Sequence, residues 1–324
     1  MEFRREFTPE PFDVKIRHHE NIMLIGSCFT EQMGGKLSRV KFRTLENPHG
    51  ILFNPASIIK SIDAYIEDKK YTQQDLFEHN GIWGSWDHHT RFSDVDPSVA
   101  LQKMNSSTES AGAFLQQADW LIITLGSAFL YEHKDGFFVA NCHKVPTDKF
   151  YKRLMTADEI VSDFEGMINK LKVKNPSLRI LFTISPVRHL REGFVENNRS
   201  KSILIQAVHQ LVESHSNVFY FPAYELVIDD LRDYRFFAED MVHPNYQATE
   251  YVWEKFQQTC LHVEDQQIIK EITQIVLARH HKPFNPTSEQ HRHFLAKCAE
   301  KAQMLMKQHP YLDLREELSF FTRN

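Results

Sequence analysis

An apolar run at residues 22–25 stops at Gly26-Ser27-Cys28-Phe29, and Thr30-Glu31-Gln32-Met33 follows. A short buried strand that ends in a small-residue turn and opens a helix holds a hydroxyl at the helix N-terminus. Amides and dipole there favour developing negative charge, so Ser27 is a candidate nucleophile. Far along the chain, Asp240-Met241-Val242-His243-Pro244 places a carboxylate and an imidazole three residues apart in a turn closed by proline. That spacing lets Asp240 hold one ring nitrogen of His243 while the other faces a serine. A hydroxyl, a poor nucleophile at neutral pH, needs such a pair. A lone serine at this place would be a helix cap; the Ser, His, Asp set shifts the reading to acyl transfer.

Gly26-Ser27-Cys28-Phe29 resembles the signature of the GSCFA-domain family, a branch of the SGNH (GDSL-like) hydrolase superfamily. The agreement continues in Asn47-Pro48-His49-Gly50, Asn54-Pro55, Thr124-Leu125-Gly126-Ser127-Ala128, Asn141-Cys142-His143-Lys144-Val145-Pro146 and Asp240-x-x-His243, in the same order across roughly residues 20 to 250. Thr30 stands where the family name spells alanine, in the first turn of the expected helix. The resemblance implies an SGNH-hydrolase-like, flavodoxin-like fold and a serine esterase, with Ser27 attacking, His243 moving the proton and Asp240 orienting His243. It also implies that Ser27 and Gly50 supply backbone N–H groups to an oxyanion hole. The superfamily's third donor, an asparagine, is missing from Thr124-Leu125-Gly126-Ser127, so either the Ser127 hydroxyl donates or Asn54 or Asn141 takes over. The implied substrates are small acyl groups on carbohydrate or lipid. An acyltransferase on the same residues, or a non-catalytic glycan- or peptide-binding protein that keeps the fold, are the alternatives.

Cys28 is a rival nucleophile, because a thiol at a helix N-terminus is acidified, but Ser27 holds the family's nucleophile position and adjacent side chains diverge. His89 and Arg91, with Asn54, Asn141 and His143, are candidate substrate-binding residues. Such side chains recognise carbonyl, carboxylate or phosphate groups, and their bland reading is a solvated loop. Among the 18 histidines, His18-His19, His280-His281 and His291-x-His293 could suggest a metal. None comes with a ligand-spaced carboxylate or cysteine set, and the last pair diverges on a helix. The expectation is no metal, and with no Gly-rich phosphate loop, no cofactor.

The 324 residues are 42% hydrophobic and 12% aromatic, ample for a large core. A net charge of −5 and a pI near 6.4 argue against nucleic acid as a partner, leaving a small-molecule or glycan ester. No run reaches the roughly 20 apolar residues of a membrane span, and Met1-Glu2-Phe3-Arg4-Arg5 is not a secretory leader. Four unpaired-looking cysteines, at 28, 142, 260 and 298, fit a reducing compartment, so the expected location is cytoplasmic.

These side chains need a frame. Short apolar runs at 22–25, 120–124, 179–184 and 218–221 alternate with amphipathic segments at 56–68, 98–117, 156–174 and 201–214. The alternation predicts βαβ crossovers and a three-layer α/β/α sandwich with a mainly parallel sheet. Sites in such sheets gather at the carboxyl ends of strands near a reversal of strand order, where Ser27, Gly126 and Ser185 fall. The predicted organisation is an α/β hydrolase domain over residues 1–262, carrying an inserted loop region at about 71–96 as one pocket wall, then a helical extension over 263–324.

Overall fold

Neighbouring residues on a strand face opposite sides, so a continuous apolar run predicts a sheet covered on both faces. The structure, a computed structural model that describes residues 4–323, contains that sheet. Five parallel strands, β1 (Asn21–Gly26), β2 (Arg43–Glu46), β3 (Trp120–Leu125), β4 (Arg179–Ile184) and β5 (Val218–Phe221), lie in the order β5-β4-β3-β1-β2. Ile22 is registered against Thr44 on one side and Trp120 on the other. The strand β2 was not expected, since Arg43-Thr44-Leu45-Glu46 is an edge strand with no apolar run to betray it.

Met23, Ile25, Leu121, Ile123, Ile180 and Phe182 enter one core, against helices α2 (Pro55–Ile66), α3 (Pro97–Leu115), α4 (Ala157–Lys174) and α5 (Phe194–Ser214). Ile22, Leu24, Trp120, Ile122 and Leu181 enter the other, against α1 (Cys28–Arg39) and α6 (Tyr246–Cys260). These are the three layers the alternation implied. Full burial of each such side chain is worth about 1.5–3 kcal/mol, so the two cores bind helices to sheet without disulfides; all four cysteines are free.

Helices α7 (Asp265–Arg279), α8 (Glu289–Gln308) and α9 (Arg315–Arg323) follow, with a cluster of their own that includes Ile272, Ile275, Leu295 and Phe321. They dock on the sheet body through Arg17 with Asp265 at 2.9 Å and Lys41 with Glu317 at 2.8 Å. No helix among the described residues is long and apolar enough to cross a membrane.

Two insertions decorate the frame. Residues 71–96 form a hairpin, Phe77–His79 with Ile82–Gly84, over a small core of Tyr71, Phe92, Ala100 and Met104. A three-stranded antiparallel sheet, Phe129–His133 with Phe137–Val139 and Phe150–Leu154, rises after β3 and was not foreseen.

The order reversal lies between β1, which pairs outward with β2, and β3, reached by crossing back over β1. The backbone there is tight. Gly26 has φ +153°, and a Cβ on it would overlap Thr124 O and come within 2.6 Å of Thr30 Oγ1. Gly26→Ala is therefore expected to lower the unfolding free energy by about 2–3 kcal/mol, read as a lower urea midpoint at constant m-value.

Candidate active site

Ser27 caps α1: its backbone is extended, and its buried Oγ accepts from Phe29 N–H at 3.3 Å. No other hydrogen bond reaches that oxygen among the described residues. Across the crevice Ser27 N–H donates to Thr124 O at 3.2 Å, fastening the start of α1 to the end of β3. Asn47 locks the other side, since its Oδ1 accepts from Gly26 N–H at 2.8 Å and its own N–H donates to Leu24 O at 2.8 Å.

Asp240 and His243 sit together in the loop before α6. His243 Nδ1–H donates to Asp240 Oδ2 at 2.6 Å, and Asp240 Oδ1 accepts from the backbone N–H groups of His243 at 3.0 Å and Val242 at 2.9 Å. The backbone donation from His243, then its ring and the Val242 amide, hold the Asp240 carboxyl down to about 2. The loop is braced by Ala238 N–H to His243 O at 2.7 Å and by Arg188 N–H to Val242 O at 3.1 Å. That second bond anchors it beside the carboxyl end of β4. Nε2 of His243 has no hydrogen-bond partner among the described residues, and no hydrogen bond joins it to Ser27.

The residues expected to hold an oxyanion are placed around the same edge, with their donors occupied. Gly50, at φ +85°, donates its N–H to Asn47 O at 2.7 Å. A Cβ there would overlap that of His89. Ser127 N–H donates to Phe53 O at 3.1 Å, while its Oγ accepts from Phe129 N–H at 3.2 Å and lies 3.2 Å from Ser200 Oγ. Asn54 differs. Its Oδ1 caps α2 by accepting from Ser57 N–H at 2.9 Å, and its amide nitrogen, beside the main cavity, has no acceptor among the described residues.

That cavity, about 970 Å³, is lined by Phe53, Asn54 and Ser127, by the antiparallel insertion and by the loop after β4. Asn141 and His143 line it; His89 and Arg91 do not. Arg91 instead pairs with Glu31 at 3.0 Å and donates to Asn47 O. The wall expected from residues 71–96 is thus supplied by 129–154, and the earlier insertion buttresses it from behind, with His143 Nε2–H donating to Ser85 O at 2.9 Å. Asn141 accepts from His143 N–H at 2.8 Å.

Burial keeps the nearby histidines neutral. Desolvation pulls His143 to about 4, and His88, whose ring lies tilted 4.0 Å from that of His49, to about 3. Burial pushes the Cys28 thiol up, the opposite of an activated cysteine.

Two residues here escaped the sequence reading. His189 packs 5.0 Å from the Phe53 ring, with Nε2 buried, unpartnered among the described residues and 2.9 Å from where a Cβ of Gly126 would lie. Desolvation and then the charge of Lys201 hold it down to about 3. Lys201 is fully buried and donates to Gly126 O at 2.7 Å and Ser185 O at 2.6 Å, tying the ends of β3 and β4 together. Its signal was present: Asn197, Ser200, Lys201, Leu204 and Val208 form one buried helical stripe in which a cation is out of place. Desolvation draws its amine down to about 7. Between about pH 7 and the ~10.4 of an unfolded lysine, the folded chain releases a proton that the unfolded chain keeps, so stability gains as pH rises through that window. Lys201→Met strands two carbonyls and is expected to cost about 2–4 kcal/mol. Chemical denaturation of both proteins from pH 6 to 10 should show the wild-type advantage widening with pH.

Among the described residues no three His, Cys, Asp or Glu side chains group as a metal site requires. A model of the GSCFA family matches residues 21–256, and one of the GSCFA domain protein, C-terminal domain, matches residues 272–324. No curated protein matches the chain. Solved structures similar to it include a carbohydrate esterase family 3 protein from Talaromyces cellulolyticus, at 10% identity and TM-score 0.35, over 78% of this chain and 99% of that one. An acetyl esterase variant with acetate ion, at 11% identity and TM-score 0.33, covers 78% and 99%. An acetyl xylan esterase from the rumen bacterium Butyrivibrio proteoclasticus, at 15% and 0.33, covers 76% and 65%. These likenesses are too distant to carry a function; the family matches span most of the chain, which belongs to the GSCFA family.

Proposed function

We propose that the protein is a serine hydrolase acting on carboxylic esters through an acyl-serine intermediate. The observation that carries this reading is the Asp240–His243 pair at 2.6 Å, whose outer ring nitrogen is free, on a loop fastened to the same carboxyl edge as Ser27. In the reaction His243 Nε2 takes the Ser27 hydroxyl proton as Oγ bonds to the ester carbon, then returns it to the departing alkoxide. Water, activated by the same nitrogen, cleaves the acyl-serine. Asp240 stays ionised throughout and stabilises the imidazolium. The cycle requires His243 to close on Ser27, a movement of an exposed loop side chain.

Ser27 and Gly50 amides would have to exchange their carbonyl partners for the oxyanion, whereas the Asn54 amide nitrogen has nothing to give up. Asn54 is therefore the proposed principal donor. By family resemblance the acyl group is small and its acceptor a carbohydrate or lipid, and transfer to a second acceptor would use the same residues with water excluded. The occupied donors of Ser27, Gly50 and Ser127 favour one rival, a binding protein that keeps the fold without turnover.

Turnover of p-nitrophenyl acetate decides between them. Ser27→Ala and Asp240→Asn are each expected to lower kcat by about 10³-fold or more, and Asn54→Ala by about 10²-fold with KM little changed. Equal rates in wild type and Ser27→Ala would reject the hydrolase.

A further inference from the structure

The cavity beside Asn54 has a charge balance opposite to that of the chain. The protein carries a formal net charge of −5, yet the cavity is lined by Lys144, Lys152, Arg188 and Arg191 against one carboxylate, Glu192. That carboxylate is already consumed, because it pairs with Lys152 and accepts from Tyr131 O–H at 3.3 Å. Lys144, Arg188 and Arg191 have no carboxylate partner among the described residues. The lining histidines, His143 and His189, are neutral at pH 7 and add hydrogen-bonding nitrogens without charge.

Lys144 and Arg191 are exposed, whereas Arg188 is held in place. Arg188 is clamped with its guanidinium 4.0 Å above the Phe237 ring and 4.8 Å from that of Tyr234, and its Nη1 is buried with no acceptor among the described residues. A dry, unmet charged donor is costly, and an anion seated beside it relieves that cost. His143 and Lys144 are consecutive non-glycine residues with φ of +49° and +61°, a strained backbone that turns this segment along the cavity wall. Phe53, Phe129 and Phe150 also line the cavity and add apolar surface against which a sugar ring can pack.

We propose that this cavity binds the acceptor part of the substrate and that the acceptor is an acidic saccharide, bearing a carboxylate or a phosphate. Ser27, Asp240 and His243 lie outside the lining, which reaches the His243 loop through Val242, so an acylated acidic sugar would extend its ester from the cavity toward Ser27 while its anion meets Arg188, Arg191 and Lys144. A cleft of one sign also concentrates such ligands, an effect that fades with salt. The word acceptor rests on the ester-hydrolase reading; the anion site itself does not.

The wild-type chain can be titrated calorimetrically at low salt with unacylated ligands: trigalacturonate for the carboxylate, glucose 6-phosphate for the phosphate, and maltotriose as the neutral control. At least one acidic ligand should bind about tenfold or more tightly than maltotriose, with affinity falling as salt rises. The double variant Lys144→Gln, Arg191→Gln should narrow that gap by about tenfold. Equal affinity for all three sugars, or a preference that survives the double variant, overturns the proposal. Hydrolysis of p-nitrophenyl acetate by the same protein separates the two readings. Turnover without acidic preference removes the anion site alone, and acidic binding without turnover removes the hydrolase alone.

Discussion

A parallel sheet buried on both faces meets solvent only at its strand ends, and every functional feature of this protein follows from that restriction. Apolar side chains of β1 and β3 alternate into two separate cores, so neither face can host polar chemistry without a large desolvation cost. The carboxyl edge is left, and where strand order reverses, neighbouring connections diverge and open a crevice. The backbone groups along that edge would ordinarily turn to water. Here Asn47 takes up the Gly26 amide, Thr124 O accepts from Ser27, and the buried Lys201 amine answers the carbonyls of Gly126 and Ser185. The edge is thereby a rigid platform, and chemistry is left to side chains and loops that stand on it.

Several histidines lie around this platform, and their surroundings sort them. His49, His88, His143 and His189 are desolvated and held neutral, packed against rings or bonded to backbone and hydroxyl groups. His243 has the converse setting. It is partly exposed, its Nδ1–H is fixed by a carboxylate that three donors keep ionised, and its other nitrogen is open. Of these imidazoles only His243 has an orienting carboxylate among the described residues, the setting that the proposed acyl transfer requires. The positive charge of the neighbouring cavity comes instead from Lys144, Arg188 and Arg191, which have no carboxylate partner among the described residues.

Much of the frame was readable because burial leaves a trace, a continuous apolar run in a strand covered on both faces and a period-3.6 stripe in a helix. The runs that became β1, β3, β4 and β5 and the helices α2 to α5 carry that trace, with boundaries shifted by a residue or two, except at α5, which starts seven residues earlier at Phe194. The strand β2 and the sheet of residues 129–154 left none, since edge and insertion strands mix polar with apolar residues and owe their form to partners distant in sequence. The helix α9 falls within the helical extension expected over 263–324, but its own bounds were not legible, because its buried stripe of Glu317 and Phe321 is short and meaningful only against α7 and α8.

What the sequence determined by itself was local: a serine at a strand-to-helix turn, a carboxylate three residues from an imidazole, and apolar periodicities that commit the chain to a covered parallel sheet. Relations between distant segments were decided only by the tertiary structure. It drew Arg91 away to Glu31 and Asn47, moved the pocket wall from residues 71–96 to 129–154, occupied the amides of Ser27 and Gly50 while sparing Asn54, and buried Lys201 under the crevice. Which hydrogen-bond donor stays free, and which charge goes unanswered, depends on neighbours contributed by other elements, and no local pattern of residues records them.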